Sequence, residues 1–355
     1  MAKFSDVLTI VNGKNQSKVE NPNGKYPIYG SGGVMGYADD YICEANTVII
    51  GRKGSINNPI FVETPFWNVD TAFGLVADTE KLLPKYLFYF CDYYNFEQLN
   101  TTVTIPSLTK ANLLNVEIPL PVLSEQQKIL NELSKIDTLI SLREQQLAKL
   151  NELVKARFVE LFQNEEYEKV TVSSVLNTGF WLMPATPEFI GDGEVPYITS
   201  KNIKNRTIDF DNVKYISKET YKSISANRPT QKGDILVSMI GTLGQTAVIQ
   251  DDREFYGQNL YLLRLNNSIV NTTYFCEFFN SDTAQHELQG KRNQSTQAYL
   301  KANHVEDLIL PLPPIELQNQ FAIFVEQTDK SKSAIQQSLD KLETLKGALM
   351  QKYFG

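Results

Sequence analysis

The chain of 355 residues repeats itself at an offset of 192 residues, and this repeat constrains the fold more than any other feature. The tetrapeptide 118–121 (IPLP) matches 310–313 (LPLP), and agreement continues without a gap toward the C-terminus. Gln126 pairs with Gln318 and Phe162 with Phe354 in this register. A gap-free run of this length is hard to assign to chance. We therefore interpret the chain as a duplicated unit.

Each copy continues from its prolines into a heptad pattern. Apolar residues recur at 4,3 spacing from Ile129 to Leu161, and at the same spacing from Phe321 to Tyr353. This pattern predicts two long helices of roughly 39 residues, or about 58 Å each at 1.5 Å per residue. Two matching seams should pack on each other, although two separate amphipathic helices, each on its own domain, are the alternative.

Signals at the helix starts and polar seam residues refine this prediction. Prolines block extension upstream, and Ser124 with Gln127 predicts a capping box at the start of the first helix. The second seam is less apolar, because it contains Thr328, Lys332 and Lys346. We expect that region to pair less tightly or to contact a partner.

A mixed globular segment precedes each helix. Residues 47–55 (TVIIGRKGS) predict a buried strand that runs into a glycine-containing loop, and residues 234–242 (DILVSMIGT) are its counterpart. Weaker sequence similarity relates residues 25–29 to 194–198 and residues 4–8 to 172–176, whereas the intervening sequences differ. The predicted boundaries are 1–118 for the first domain, 119–163 for the central helix, 164–310 for the second domain and 311–355 for the C-terminal helix.

Composition limits the class of protein. Three cysteines without C-x-x-C spacing argue against a disulfide framework and a thiolate zinc site, and indicate a reducing compartment. No stretch approaches the ~20 apolar residues that cross a bilayer, and no N-terminal apolar segment indicates secretion, so we expect no membrane partner and a cytoplasmic protein.

Charge gives two readings. The net charge of -7 counts against nucleic-acid binding. Residues 201–232, however, contain eight basic and three acidic residues, which indicates either a locally basic face or an ordinary solvated surface.

Catalytic motifs are not evident. The two histidines, His286 and His304, lack the distinctive spacing of metal ligands. The glycine-rich segment 30–33 (GSGG) lacks the lysine of a phosphate-binding loop, so we interpret this segment as a flexible loop. An amino-methyltransferase would need a strand followed by a glycine-containing cofactor loop and a catalytic Asp/Asn-Pro-Pro-Tyr/Phe motif, and the sequence does not show this combination. Carboxylates such as Asp70, Asp209 and Asp211 could form a nuclease-like cluster, but a chain with 41 acidic residues always permits such a combination.

Polar loop residues remain as candidates for binding chemistry. Arginine and lysine reach guanine N7 and O6, asparagine and glutamine pair with adenine, and serine or threonine serves phosphates or bases. The predicted DNA-contacting residues are Arg52, Lys53, Ser55, Thr102, Thr104, Lys201, Asn202, Thr242, Gln258, Asn259, Lys291, Arg292, Asn293 and Gln294.

The paired proline-to-helix segments, 118–127 (IPLPVLSEQQ) and 345–354 (LKGALMQKYF), resemble the DNA-specificity subunit of type I restriction-modification systems over the full chain. Residues 316–318 (ELQ) depart from the family's Glu-Gln pair. The resemblance implies an α+β protein in which two mixed α/β target-recognition domains are joined by two long helices. These helices pair as an antiparallel coiled coil, and the repeat gives an approximate twofold.

The resemblance also implies partners and function. Each domain would read one half of a split double-stranded DNA target. The helices would set the spacing and dock two methyltransferase subunits, which bring S-adenosylmethionine and the catalytic residues, with restriction subunits in the full complex. This chain would then catalyse nothing and hold no cofactor or metal.

Two alternatives stay open at the level of sequence. The chain could be a nuclease or methyltransferase with unrecognised motifs, which binding or turnover of S-adenosylmethionine by the pure chain would reveal. It could also be a coiled-coil adaptor whose domains bind protein, which would not retain a specific DNA sequence.

Overall fold

The computed structural model describes residues 1–100, 107–163, 166–182, 186–191, 193–204, 206–241, 243–291 and 299–355. These residues form two compact units. Unit 1 comprises residues 1–146 and 335–355, and unit 2 comprises residues 147–334. Each unit therefore contains a globular part and a portion of both long helices.

The first globular part is mixed α/β. Its strands are β1 (Ala2–Lys3), β2 (Leu8–Asn12), β3 (Tyr26–Gly30), β4 (Gly33–Ala38), β5 (Thr47–Gly51), β6 (Ile60–Val62), β7 (Trp67–Asn68), β8 (Ala72–Ala77) and β9 (Glu117–Ile118). Its helices are α1 (Phe4–Val7), α2 (Pro84–Tyr93), the 3₁₀ turn Phe96–Leu99 and α3 (Lys110–Leu114). The central long helix α4 (Leu123–Phe162) follows.

The second globular part has a comparable inventory. Its strands are β10 (Glu168–Thr171), β11 (Leu176–Leu182), β12 (Val195–Ile198), β13 (Ile203–Lys204), β14 (Thr207–Ile208), β15 (Lys214–Ile216), β16 (Ile235–Ser238), β17 (Thr246–Val248), β18 (Tyr256–Gly257), β19 (Leu260–Leu265) and β20 (Ile309–Leu312). Its helical segments are the 3₁₀ turns Val172–Val175 and Ser200–Asn202, α5 (Lys218–Ser225), α6 (Thr272–Phe279), α7 (Asp282–Lys291) and α8 (Ala302–Glu306). The C-terminal helix α9 (Ile315–Phe354) ends the chain.

The four-stranded and three-stranded sheets have the same topology in both units, which confirms the duplication. The order β2-β8-β5-β6 in unit 1 corresponds to β11-β19-β16-β17 in unit 2, and β4-β3-β7 corresponds to β15-β12-β18. In both three-stranded sheets the last pair is parallel, whereas the other pairs are antiparallel. Strand β5 is buried along its whole length, as its run of β-branched residues predicts.

The long helices pack antiparallel, and the evidence comes from each unit by itself. In unit 1 the Tyr353 hydroxyl donates to Glu132 (2.6 Å), and Lys346 pairs with Asp137 (2.9 Å). The later residue of α9 contacts the earlier residue of α4, so the two helices run in opposite directions. In unit 2 the ring of Phe321 lies against Phe158 and Phe162. Every predicted seam position of both helices is buried or partly buried, so the predicted pairing is confirmed.

A buried glutamine anchors the start of each long helix. In unit 1, Gln126 Oε1 accepts the Leu83 amide (2.9 Å), and its Nε2 donates to the carbonyls of Lys81 and Pro121 (both 2.8 Å). Gln126 is completely buried. The predicted cap at Ser124 is wrong, because α4 begins at Leu123 and Ser124 lies inside the first turn. The side chain that ties the helix start to the domain is two residues further on.

Unit 2 repeats this arrangement with equivalent residues. Gln318 is also completely buried, accepts the Asn271 amide (2.8 Å), and donates to the carbonyls of Ile269 (3.2 Å) and Pro313 (2.8 Å). The departure at residues 316–318 therefore leaves the anchoring glutamine in place.

Candidate nucleic-acid interface

Three short connections meet at one end of the sheets in unit 1. They are the β3–β4 turn (31–32), the loop after β5 (52–55) and the β7–β8 turn (70–71), which together we call loop cluster 1. A side chain at Gly51 would lie 2.2 Å from the Ser55 carbonyl and 3.0 Å from Ser31 Cβ, so only glycine allows this approach. The Arg52 amide donates to the Thr71 carbonyl (2.8 Å), which joins the second connection to the third.

The β3–β4 turn corrects one sequence interpretation. The sequence predicts a flexible loop at residues 30–33, but Gly30 and Gly33 are paired strand residues on either side of a two-residue turn. Gly33 has a φ of +118°, which only glycine adopts readily. The glycines serve a tight hairpin turn, which fixes Ser31 beside Gly51.

The loop after β5 has a fixed backbone and exposed side chains. The Leu108 amide donates to the Arg52 carbonyl (2.9 Å), and Gly54 has a φ of +80°. Arg52, Lys53 and Ser55 are all exposed, and the Arg52 guanidinium lies 5.8 Å from the centre of the Phe73 ring. The structure thus presents two cations and a hydroxyl from a rigid support.

Unit 2 builds the same backbone arrangement, which we call loop cluster 2 (200–201, 239–241 and 258–259). The Leu300 amide donates to the Met239 carbonyl (2.9 Å), and the Met239 amide donates to the Asn259 carbonyl (3.2 Å). Gly241 has a φ of +84°, close to that of Gly54, and a side chain there would lie 3.6 Å from Ser200 Oγ. These bonds make Met239 the counterpart of Arg52 and Asn259 the counterpart of Thr71.

The two clusters carry different side chains on this shared backbone. Where unit 1 exposes Arg52 and Lys53, unit 2 has Met239, which is completely buried, and Ile240, which is partly buried. At the first connection the cation lies in unit 2 instead: Lys201 follows Ser200, whereas in the β3–β4 turn of unit 1 a glycine follows Ser31. The third connection changes from Asp70-Thr71 to Gln258-Asn259. The cations therefore occupy different connections in the two units.

The remaining predicted residues of unit 2 have distinct environments. Lys201 is exposed, but the Asn202 side chain accepts the Thr199 amide (3.0 Å) and donates to the Asp209 carbonyl (2.9 Å), so it stabilises its own turn. Gln258 Oε1 lies 3.4 Å from the Tyr197 hydroxyl, whose pKa is raised to about 12 by burial. That phenol stays protonated at neutral pH and can orient the glutamine. Asn259 has a left-handed φ of +63°.

Lys291 is the last predicted residue that the structure describes, and it pairs with Glu287 one turn earlier in α7 (2.6 Å). The predicted residues outside the described part of the chain are Thr102, Thr104, Thr242, Arg292, Asn293 and Gln294.

Sequence reasoning did not identify Ser31, Asp70 and Thr71 as members of the cluster. Their position depends on long-range strand pairing, namely β3 beside β7 and β5 beside β8. The only available signal was the alignment of 47–55 with 234–242. It assigns equivalent loops but does not reveal their neighbours.

The basic segment 201–232 is not a continuous free cationic face. Lys204 pairs with Asp209 (2.6 Å), Arg206 binds the buried Glu277, and Lys214 lies 4.3 Å from the centre of the Phe189 ring. In the described ranges, no group of three or more His, Cys, Asp or Glu side chains could hold a metal ion. None of the helices described is both long enough and apolar enough to span a bilayer.

Comparisons with known proteins agree with this architecture. The model of the type I restriction modification DNA specificity domain matches residues 1–152 and 164–344. A Haemophilus influenzae protein provisionally named a type I restriction enzyme specificity subunit is 23% identical over 334 residues, covering 89% of this chain and 83% of that protein. The EcoBI specificity subunit of Escherichia coli is 22% identical over 348 residues, covering 86% of this chain and 72% of the relative.

The crystal structure of the S subunit of a type I restriction-modification system from M. genitalium has the same fold. Its TM-score is 0.63 at 17% identity, and the alignment covers 100% of this chain and 95% of that chain.

Proposed function

The chain belongs to the type I restriction modification DNA specificity family, and from this premise we propose that it reads a split double-stranded DNA target with loop clusters 1 and 2. As a specificity subunit it is not an enzyme, and it supplies sequence recognition to a complex. The observation that carries the proposal is one loop backbone built twice with different side chains at equivalent positions. A duplicated binding scaffold with divergent contacts suits a target of two unlike halves.

We propose further that the long helices dock two methyltransferase subunits and, through them, restriction subunits. Leu153 in unit 2 and Leu345 in unit 1 are equivalent in the 192-residue repeat, and each is 48% exposed. Apolar side chains left exposed at equivalent positions suit two copies of one partner. The partners would bring S-adenosylmethionine, so this chain needs no cofactor. Because the substrate is cellular DNA, we place the complex in the cytoplasm.

Methylation mapping tests this function. The full chain is co-expressed with the methyltransferase subunit of its own system in cells without other DNA methyltransferases, and modified positions are mapped by single-molecule sequencing. We expect methylation at one split target when both are present, and none with either protein alone. Methyl transfer by the pure chain alone, or the same methylated sites without this chain, would contradict the proposal.

A further inference from the structure

The two loop clusters present different hydrogen-bonding groups at equivalent backbone positions, and this difference bears on the bases that each unit reads. We propose that loop cluster 1 reads a guanine–cytosine pair through Arg52 and that loop cluster 2 reads an adenine–thymine pair through Gln258. The inference rests on the proposed function, because it names the bases at that same site.

Loop cluster 1 matches the major-groove edge of a guanine–cytosine pair. Guanine presents two acceptors, N7 and O6, which a guanidinium binds in bidentate fashion, and cytosine presents a donor at N4, which a carboxylate accepts. Arg52 and Lys53 supply exposed cationic donors, and Asp70 is an exposed carboxylate next to Thr71, to which the Arg52 backbone is bonded. Within the described ranges, neither cation forms an ion pair, so both are available to a base.

Arg52 is also held ready for such a contact. Its carbonyl accepts the Leu108 amide and its amide donates to Thr71, so the backbone is fixed on both sides. Its guanidinium lies 5.8 Å from the Phe73 ring centre, which limits its orientations. A restrained side chain loses less conformational entropy when it binds.

Loop cluster 2 lacks these donors at the same position. Met239 is completely buried, but the neighbouring Ile240 is only partly buried, so the loop after β16 offers the apolar side chain of Ile240, which suits the methyl group of thymine. The adjoining turn offers Gln258, whose amide can pair with adenine N6 and N7 together. The hydroxyl of Tyr197 lies 3.4 Å from the Gln258 oxygen and leaves a lone pair of that oxygen for the base.

Methylation mapping of variants in the full complex tests the assignment. Arg52→Ala should relax a guanine–cytosine position in one half of the target, and Gln258→Ala should relax an adenine–thymine position in the other half. Each loss of discrimination should be roughly 5- to 150-fold, since a bidentate base contact contributes about 1–3 kcal/mol. Arg52→Gln is a second variant of the same site. It should shift that position toward adenine, because glutamine pairs with adenine.

The matched control is Arg253→Ala. Arg253 is also an exposed arginine over a phenylalanine ring, 4.5 Å from the centre of Phe210, but it precedes β18, whereas Gln258 follows that strand. We expect the Arg253→Ala variant to methylate the same target as the parent chain.

Two results would overturn the assignment. The first is a parent target in which neither half contains a guanine–cytosine pair. The second is an unchanged target in both Arg52 variants and in Gln258→Ala. Either result would leave a split, chain-dependent target intact, so the proposed function would stand. Absence of any chain-dependent target would instead refute the proposed function itself.

Discussion

Replacement of Gln126 by methionine should destabilise unit 1 by about 2–4 kcal/mol. The substitution keeps nearly the same volume but removes one acceptor and two donated hydrogen bonds. A buried partner that is left unsatisfied costs about 1–3 kcal/mol. Leu83 is partly buried and Lys81 is exposed, so water can reach part of this network, and the sum lies below three full penalties.

The assay is urea unfolding of the full chain, followed by circular dichroism, together with hydrogen exchange of the Leu83 amide. That amide should exchange faster in Gln126→Met because its acceptor is gone. The matched control is Gln127→Met, since Gln127 is the exposed neighbour and its side chain donates to Asn131 (3.0 Å) on its own helix. Its effect should stay within about 0.5 kcal/mol.

If Gln126→Met and Gln127→Met unfolded within about 0.5 kcal/mol of each other, with the Leu83 amide equally protected, the glutamine would not anchor the helix. Gln318→Met should repeat the result in unit 2, with faster exchange at the Asn271 amide.

Three further predictions concern packing, thiols and length. Phe354→Ala should lower the free energy of unfolding by about 3–5 kcal/mol, because the buried ring packs 5.1 Å from that of Tyr86; equal denaturation midpoints for parent and variant would contradict this. The native chain should show less than one reactive thiol at pH 8 with a disulfide reagent, because all three cysteines are buried and burial raises the pKa of each thiol. After unfolding, all three thiols should react. Rapid labelling of the native chain would contradict this burial. Insertion of seven residues after Leu147 and seven after Leu339 should lengthen the unspecified spacer by about three base pairs, because one heptad adds roughly 10 Å. A variant complex that still methylated only the parent spacing would refute a spacing role for the helices.

The sequence predicted the long helices well because their packing is encoded locally. The 4,3 spacing from Ile129 to Leu161 identifies one continuous face, and every position of that face is at least partly buried. The repeat likewise assigned strand 47–51 and its counterpart correctly. The anchor at Gln126 could not be predicted, because the amide of Leu83, which donates to Gln126, and the carbonyl of Lys81, which accepts from it, both lie more than 40 residues away in sequence.

The candidate interface was predicted only in part. Arg52 and Lys53 could be identified as loop cations, but their loop meets Ser31 and Thr71 through strand pairs that no local pattern encodes. Asn202 has a side chain of the expected type, yet its amide bonds to neighbouring backbone. Composition identifies groups that can bind DNA, whereas tertiary contacts determine which of them are free to do so.

The most direct test of the proposal that each unit reads one half of a split DNA target is a domain exchange. Residues 164–310 are replaced by the equivalent segment of another specificity subunit with a known target, and methylation is mapped in the presence of the methyltransferase subunit. Because base contacts are local to each loop cluster, one half of the target should change to that of the donor while the other half stays as in the parent chain. A stable complex in which both halves changed together, or neither changed, would contradict the account.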